Sequence, residues 1–271
     1  MYERGLRLLT GQTSAAEAVR SIFSPGDRVG IKINAIAAPE LATGPAVSLP
    51  FARMLTGIGV LPRNVVVWDR TNRELREAGY KLNIEAGDIQ VYGTDTAGVG
   101  YGAEPTLHRS VASLFSTVLT DRLTASVSLA VLKDHGMAGV TAGMKNYFGA
   151  IHNPNKYHDD HCDPAVADLS DAPPVRTRHR LTILDALAVQ FHRGPSYHPR
   201  WSEPLGALVF SLDPVAADAV GWRIIEKLRA AKGLPTLEQD GRPPLSIATA
   251  EKLGLGRARE SGIELVEETA A

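Results

Sequence analysis

The chain has 271 residues, of which 44% are hydrophobic and 22% are charged, and its formal net charge is −1. This composition is that of a globular protein, and the length suits a single domain with a substantial core. The near-neutral charge predicts neither nucleic acid nor an anionic membrane as a partner. The single cysteine, Cys162, excludes an internal disulfide and any all-cysteine iron–sulfur or zinc site within one chain.

No apolar run reaches the length of a transmembrane helix, and the stretch MYERGLRLLTGQTSAAEAVR lacks the apolar core of a signal peptide. We therefore expect a cytoplasmic protein, although an export leader trimmed from the chain would leave no trace in this sequence. A homo-oligomer is compatible with the composition.

The first half of the chain alternates helices with short apolar strands. Thr13 or Ser14 caps the first predicted helix, and Thr71 with Glu74 forms a capping box for the third. Pro45 suits the first turn of the helix between them. The predicted elements are helix 14–23, strand 28–34, helix 44–59, strand 64–69, helix 72–79 and strand 89–93.

The second half continues the alternation, and its longest helix begins with Asp213 as N-cap and Pro214 at the first position. The segment 170–180 is predicted to be a Pro/Arg-rich linker. Segments 94–105 and 191–204 are predicted to be mobile loops, the second a candidate lid. The predicted elements are helix 108–121, strand 125–136, a helical core within 139–149, strands 179–187 and 206–213, helices 213–233 and 245–256, and strand 262–268.

This alternation predicts one α/β domain over residues 1–271, with a mainly parallel sheet and helices on both faces. In such folds ligands bind outside the carboxyl ends of the strands. Five predicted strand ends carry polar side chains, which indicates a site at that edge; simple exposure of strand ends is the alternative explanation. The residues concerned are Lys32 and Asn34, Asp69 and Arg70, Lys133 to His135, Asp185, and Asp213.

The segment KDHGMAGVTAGMKNYFGAIHNPNKYHDDHC, residues 133–162, concentrates the ionisable chemistry. It holds four of the eight histidines and the only cysteine. Lys133 and His135 are two positions apart at the end of a strand, so their side chains can point to the same side.

Further along this segment, Thr141 is expected near the start of a helix, whose N-terminus favours an anion. Lys145 and Asn146 follow on the same helix, where a C-terminal cap is the alternative explanation. Ammonium and amide groups from these residues and from Lys32 and Asn34 suit a carboxylate, a phosphate or an enolate-like oxyanion.

The histidines that follow admit two interpretations. His158 and His161, flanked by aspartates, could hold a divalent metal ion, although their spacing is not that of a named zinc motif. His152 and His158 could instead act as general acid or base near neutral pH.

Five sequence blocks, in order along the chain, carry a family resemblance: PGDRVGIKIN, VLKDHGMAGVTAGMKNYFGAI, KYH, LTILDAL and SLDPVAADAV. They resemble the domain-of-unknown-function-362 family, and K-x-H…G-x-T…K-N-x-F-G is the most specific block. The resemblance implies a shared fold and a shared site. It also implies that His158, in the block KYH, corresponds to the histidine that follows a lysine in the family. Some members carry ferredoxin-like cysteine clusters or twin-arginine signals; this chain has neither, so no iron–sulfur cluster is expected.

Three classes of function remain, of which one is a Lys/His acid–base enzyme acting on a small anionic substrate. Another is a metal-dependent hydrolase or oxidoreductase using the histidines from His152 to His161. A further one is a non-catalytic binding protein for an anionic small molecule or cofactor. The first is an isomerase, lyase or cyclase, in which His135 or His158 moves a proton while Lys133 and Lys145 stabilise negative charge. The predicted catalytic residues are His135, Lys145, Lys133 and His158. The predicted substrate-binding residues are Lys32, Asn34, Asp69, Thr141, Asn146, His152 and Lys156.

Overall fold

The computed structural model describes residues 1–85 and 87–269. The strands of this part of the chain are β1 (Val29–Lys32), β2 (Val65–Asp69), β3 (Gln90–Gly93), β4 (Thr106–His108), β5 (Val111–Ser113), β6 (Ala125–His135), β7 (Gly139–Thr141), β8 (His179–Gln190) and β9 (Ser202–Ser211). Seven of them form the central sheet in the order β3-β2-β1-β6-β8-β9, with β7 paired to β6 alone.

The central sheet is mainly parallel, as the alternation of strands and helices predicts. Strands β3, β2, β1, β6 and β8 run parallel to one another. The edge strand β9 is antiparallel to β8, and β7 folds back on the end of β6. The predicted strands at 28–34, 64–69, 89–93, 125–136, 179–187 and 206–213 are therefore confirmed, and so is the α/β fold.

Helices cover both faces of this sheet. Buried side chains of the first four helices pack on one face, and those of the last four pack on the other. Within residues 1–85 and 87–269, no helix is both long enough and apolar enough for a bilayer crossing. The helices are α1 (Tyr2–Thr10), α2 (Ala15–Ile22), α3 (Pro45–Gly57), α4 (Asn72–Glu77), α5 (Ala165–Asp171), α6 (Pro173–Arg176), α7 (Pro214–Ala231) and α8 (Leu245–Lys252).

The predicted helix starts are confirmed where a side chain caps the backbone. Ser14 accepts from the N–H of Glu17 and begins α2 in a capping box. Thr71 accepts from the N–H of Glu74 at the start of α4, and the Glu74 carboxylate bonds the Thr71 hydroxyl. Asp213 accepts two backbone N–H groups at the start of α7. These bonds satisfy donors that the first turn of a helix leaves free.

The predicted helix at 108–121 is wrong. Its first part is paired as the antiparallel hairpin of β4 and β5, and its last part is a short π-helical turn, Val118–Arg122. The Tyr157 hydroxyl accepts from the N–H of Ala112 at 2.9 Å, and the N–H of Ser116 donates to the Ala150 carbonyl at 2.8 Å. These partners are distant in sequence, so tertiary hydrogen bonds override the local helical pattern.

The helical core predicted within 139–149 is only partly correct. Its first residues form β7, which pairs with the end of β6, and the helix is the short 3-10 segment Lys145–Ala150. The sequence predicts Thr141 near the start of a helix, but this residue lies in strand β7.

Other predictions also need correction. The segment 170–180 is not an extended linker, because α5 ends in it, α6 occupies its centre and β8 begins in it. No strand forms at 262–268: a 3-10 turn, Glu260–Gly262, is followed by irregular chain. The loop predicted at 191–204 is shorter, since it contains the 3-10 turn Pro199–Trp201 and its last three residues belong to β9. Its mobility, and that of 94–105, remain predictions.

Removing the cap of α7 should destabilise the protein. Asp213 accepts from Val215 and Ala216, and also from the N–H of Arg257 at 2.8 Å. We expect Asp213→Ala to lower the free energy of unfolding, measured by urea denaturation, by about 1–2 kcal/mol. The matched control is Asp88→Ala, an exposed aspartate whose side chain accepts from the N–H of its neighbour Ile89. Equal losses in the two variants would contradict the assigned role of the cap.

Candidate functional site

A buried ion pair joins the ends of the neighbouring strands β1 and β2. Lys32 Nζ lies 2.6 Å from Asp69 Oδ1, and both side chains are almost inaccessible to water. The Lys32 ammonium also donates to the Ile33 carbonyl at 2.7 Å. Asp69 accepts from the backbone N–H groups of Ala35 and Arg70 at 2.8 and 2.7 Å. Each charge thus has several partners, which is the condition under which a buried ion pair is tolerated.

Asn146 ties this ion pair to the 3-10 helix Lys145–Ala150. Its side-chain oxygen accepts from Lys32 Nζ at 3.1 Å, and its side-chain nitrogen donates to the Lys32 carbonyl at 2.8 Å. Gly149 of the same helix passes so close that a Cβ there would lie 2.7 Å from Lys32 Nζ and 2.9 Å from Asp69 Oδ1. The approach of backbone to the ion pair therefore explains the asparagine and the glycine of K-N-x-F-G.

Lys133 lies beside the ion pair, near the end of β6. It is fully buried, and its ammonium donates to Asn34 Oδ1 at 3.0 Å and to the Leu41 carbonyl at 3.5 Å. Burial lowers the pKa of Lys133 to about 7; the Asp69 carboxylate opposes this effect and the charge of Lys145 adds to it. Near neutral pH, Lys133 is therefore close to losing its proton.

His135, two residues further along β6, is held as a neutral hydrogen-bond donor. Its Nδ1 accepts from the backbone N–H groups of Met137 and Ala138 at 3.2 and 3.1 Å, so the ring proton lies on Nε2. Burial, followed by the positive charge of Lys145, lowers the pKa of His135 to about 2. Its ring stacks on that of His158 with centroids 5.6 Å apart. This imidazole is a poor base at neutral pH, but it can donate from Nε2.

Lys145 is half-buried at the start of the 3-10 helix and faces His158. Lys145 Nζ lies 3.2 Å from His158 Nε2, and His158 Nδ1 lies 3.1 Å from the Pro154 carbonyl, which places the ring proton on Nδ1. The same ammonium lies 4.4 Å from the ring centroid of Phe148. Burial lowers the pKa of Lys145 to about 8. Burial, and then the charge of Lys145, lowers the pKa of His158.

The structure gathers eight of the predicted site residues, which we call the lysine cluster. They are Lys32, Asn34, Asp69, Lys133, His135, Lys145, Asn146 and His158. Asp69 is the acidic member, and it is paired with Lys32. Among residues 1–85 and 87–269, no carboxylate lies within ion-pair distance of Lys133 or Lys145. An anion between them would supply the missing negative charge and raise the pKa of both amines.

Asp218 in α7 anchors the loop that leads to Lys145. Its buried carboxylate accepts from the N–H groups of Gly143 at 2.7 Å and of Met144 at 3.1 Å. Burial raises the pKa of Asp218 to about 7, against the effect of these two bonds. Asp218 is not among the predicted site residues. The sequence does contain a signal for its burial, because Asp218 is seven residues before Ile225 and so lies on the same buried face of α7.

A second charge network lies behind the lysine cluster. Asp134 Oδ1 is 2.8 Å from one nitrogen of Arg242 and 3.7 Å from Arg229, which in turn lies 2.8 Å from Asp240. Arg242 also donates to the His135 carbonyl at 3.2 Å, so the network holds the end of β6 in place. The two arginines and Asp240 are missing from the predicted site, since their pairing depends on chain segments far apart in sequence.

Three predicted substrate-binding residues lie outside the lysine cluster. His152 and Lys156 are exposed. The Lys156 ammonium donates to the Ala112 carbonyl, and the His152 ring packs against Tyr101 with centroids 5.0 Å apart. Thr141 is buried in β7. Their proposed contacts with a substrate remain predictions.

The two predicted metal ligands have separate neighbours. His161 Nδ1 lies 3.1 Å from the Met137 carbonyl, whereas His158 Nε2 is engaged with Lys145. Within the part of the chain that the structure describes, no group of three or more His, Cys, Asp or Glu side chains is arranged to hold a metal ion. A metal ion at His158 and His161 remains a prediction.

Two surface cavities lie away from the lysine cluster. One, of about 360 Å³, is bordered by three arginines that include Arg28 and Arg63. The other, of about 210 Å³, lies under the loop before Lys145 and is bordered by Met144 and Tyr147. Neither cavity tests the prediction that the members of the lysine cluster line one cavity. That prediction is based on the contacts between the members, and it remains a prediction.

The chain matches the family model described as a domain of unknown function, DUF362, over residues 29–223. The match extends over well more than half of the chain, from β1 into α7. The chain belongs to the DUF362 family. All eight residues of the lysine cluster lie in the DUF362 segment, whereas Arg229 and Arg242 lie beyond it. A search of the curated proteins finds no match to this chain.

Adding one methyl group at Gly149 should disturb the ion pair. We expect Gly149→Ala to lower the free energy of unfolding by about 1–3 kcal/mol, because the new Cβ collides with Lys32 and Asp69. Gly57→Ala is the matched control, since a Cβ at that helical position meets nothing within 4 Å and should be neutral or slightly stabilising. Urea unfolding of both variants checks the expectation, and a neutral Gly149→Ala would contradict it.

The buried amine of Lys133 should make stability depend on pH. Its pKa is lower in the folded protein than in the unfolded chain, so the unfolded chain binds more protons between about pH 7 and pH 10 and stability rises with pH. We expect Lys133→Met to reduce that rise by at most about 1.4 kcal/mol per pH unit. Urea unfolding at pH 7, 8 and 9 measures it, with the exposed Lys81 substituted in Lys81→Met as the control. An unchanged slope in Lys133→Met would rule out the buried, neutralised amine.

Proposed function

We propose that the protein is an enzyme that binds a small substrate bearing a carboxylate or another oxyanion and moves a proton on it, as an isomerase, a lyase or a cyclase does. The observation that carries this proposal is the pair Lys133 and Lys145: two amines in one cluster, both with lowered pKa, and neither within ion-pair distance of a carboxylate in the described chain.

Binding follows from the donors that the cluster presents. The ammonium groups of Lys133 and Lys145 and the Nε2–H of His135 are three donors for an oxyanion. In a site with little water, such donors interact more strongly with an anion than they would in bulk solvent. The ion pair of Lys32 and Asp69 is already satisfied, so it orients the neighbouring backbone and adds no net charge.

Proton transfer follows from the unequal states of the two histidines. His135 is fixed as a donor, whereas His158 directs the lone pair of Nε2 at Lys145. A proton can therefore pass between Lys145 and His158, which leaves one of them as a base near neutral pH. A positioned base of this kind contributes about 10²–10⁴-fold to a rate, while Lys133 stabilises the negative charge that develops on the substrate.

Binding of a carboxylate should be accompanied by proton uptake. We expect calorimetric titration with malonate near pH 7.5, in HEPES and in Tris, to show protons taken up, because the anion raises the pKa of Lys133 and Lys145. Lys145→Met should weaken binding by about 10–100-fold, the effect of losing one charge-assisted hydrogen bond, and should reduce the uptake. The exposed Lys81→Met should behave as wild type. Binding without proton uptake, or no binding, would contradict the proposed site.

Catalysis is separated from simple binding by isotope exchange. The protein is incubated in D₂O with pyruvate, acetoacetate or 2-oxoglutarate, and exchange of the C–H groups beside the carbonyl is followed by NMR. An enzyme should accelerate the exchange for at least one acid, and His158→Gln should abolish the acceleration while malonate still binds. Tight binding with no exchange for any of the three acids would favour a non-catalytic binding protein.

A further inference from the structure

We propose that Lys145 is a nucleophile that forms an imine with a carbonyl group of the substrate, which makes the substrate an oxo acid. This inference rests on the proposed function and specifies its substrate class. It requires an amine that can lose its proton, a base in contact with that amine, and a group that orients the base.

Lys145 supplies the amine, His158 supplies the base, and the Pro154 carbonyl orients the base. Lys145 Nζ is 3.2 Å from His158 Nε2. His158 Nδ1 is 3.1 Å from the Pro154 carbonyl, which fixes both the ring proton and the direction of the Nε2 lone pair. The order of amine, imidazole and orienting oxygen is the arrangement by which proteins activate a weak nucleophile.

Lys145 differs from the other two lysines of the cluster in its surroundings. Lys32 is buried and bonded to Asp69 and to Asn146, and Lys133 is fully buried against Asn34. Lys145 is only half-buried, and its side chain lies over the ring of Phe148. Its amine faces the His158 imidazole, whereas the other two amines donate to oxygen atoms of the protein.

The chemical step balances without a redox partner. His158 takes a proton from the Lys145 ammonium, and the freed lone pair attacks the carbonyl carbon while the π electrons move to oxygen. The imidazolium returns its proton to that oxygen and gives a carbinolamine. A second proton passes from nitrogen through His158 to the hydroxyl group, which leaves as water, and the nitrogen keeps its last proton in the iminium ion. The sum is one ammonium and one carbonyl giving one iminium ion and one water.

The remaining members of the cluster have a place in this step. The Lys133 ammonium and the Nε2–H of His135 can hold the substrate carboxylate beside Lys145. The iminium ion withdraws electrons from the adjacent carbon and so acidifies its C–H bonds. That effect joins the imine to the proton transfer proposed for the site.

Borohydride trapping tests the inference. The full chain is incubated separately with pyruvate, acetoacetate and 2-oxoglutarate, reduced with sodium borohydride, and analysed by intact mass and peptide mapping. We expect a stable adduct on Lys145 with at least one acid, and no adduct with malonate, which has no ketone. Lys145→Met should lose the adduct, while the exposed Lys81→Met should keep it.

A second variant tests the role of His158. We expect His158→Gln, with an unchanged circular dichroism spectrum, to slow trapping by about 100-fold at neutral pH. The rate in this variant should rise more steeply with pH than in wild type, because the amine must then lose its proton to solvent. An equal rate and an equal pH dependence in the two proteins would overturn the role of His158.

The failure of this inference is distinguishable from failure of the proposed function. If malonate binds with proton uptake but none of the three oxo acids gives an adduct on Lys145, the imine is overturned and the proposed anion site stands. Labelling spread evenly over exposed lysines such as Lys81 and Lys227 would overturn it as well, since that pattern needs no activated amine.

Discussion

The charge distribution at the carboxyl edge of the sheet depends on the buried ion pair of Lys32 and Asp69. A buried pair is a weak source of stability, because desolvation of both charges offsets their attraction. Its main effect here is on its neighbours. Asp69 is held by Lys32 and by two backbone N–H groups, so its charge only partly offsets the effect of burial on the pKa of Lys133. Among the described residues, no carboxylate is at ion-pair distance from Lys133 or Lys145, and burial lowers the affinity of both amines for protons.

The two carboxylates that support the cluster bind backbone N–H groups and arginines rather than lysines. Asp218 reaches out from α7 and holds the turn before Lys145, and Asp134 joins the end of β6 to two arginines. Both therefore fix geometry while leaving the net charge of the site positive. Lys32, Asp69, Lys133 and His135 lie on strands, and Lys145 and Asn146 lie on a short 3-10 helix.

Much of the fold and part of the site could be predicted from the sequence, because they depend on short stretches of neighbouring residues. Lys32, Asp69 and Lys133 each follow an apolar run of strand length, so strand ends and parallel order place them at one edge. What the sequence could not provide depends on partners distant along the chain. The hairpin at 106–113 needs the Tyr157 hydroxyl, and the donor state of His135 depends on two backbone N–H groups in a tight turn. Neither follows from periodicity.

The ion pairs of Asp134 indicate how much of the chain is needed for the domain to fold. The family match ends at residue 223, within α7, while both cations that face the buried Asp134 carboxylate come later, at Arg229 and Arg242. A fragment limited to the matched residues would keep every member of the lysine cluster but would remove both arginines from that carboxylate, and the loss of a partner from a buried ion pair is destabilising. The smallest piece that preserves the site therefore extends at least through Arg242, and the boundaries of sequence similarity underestimate the folding unit.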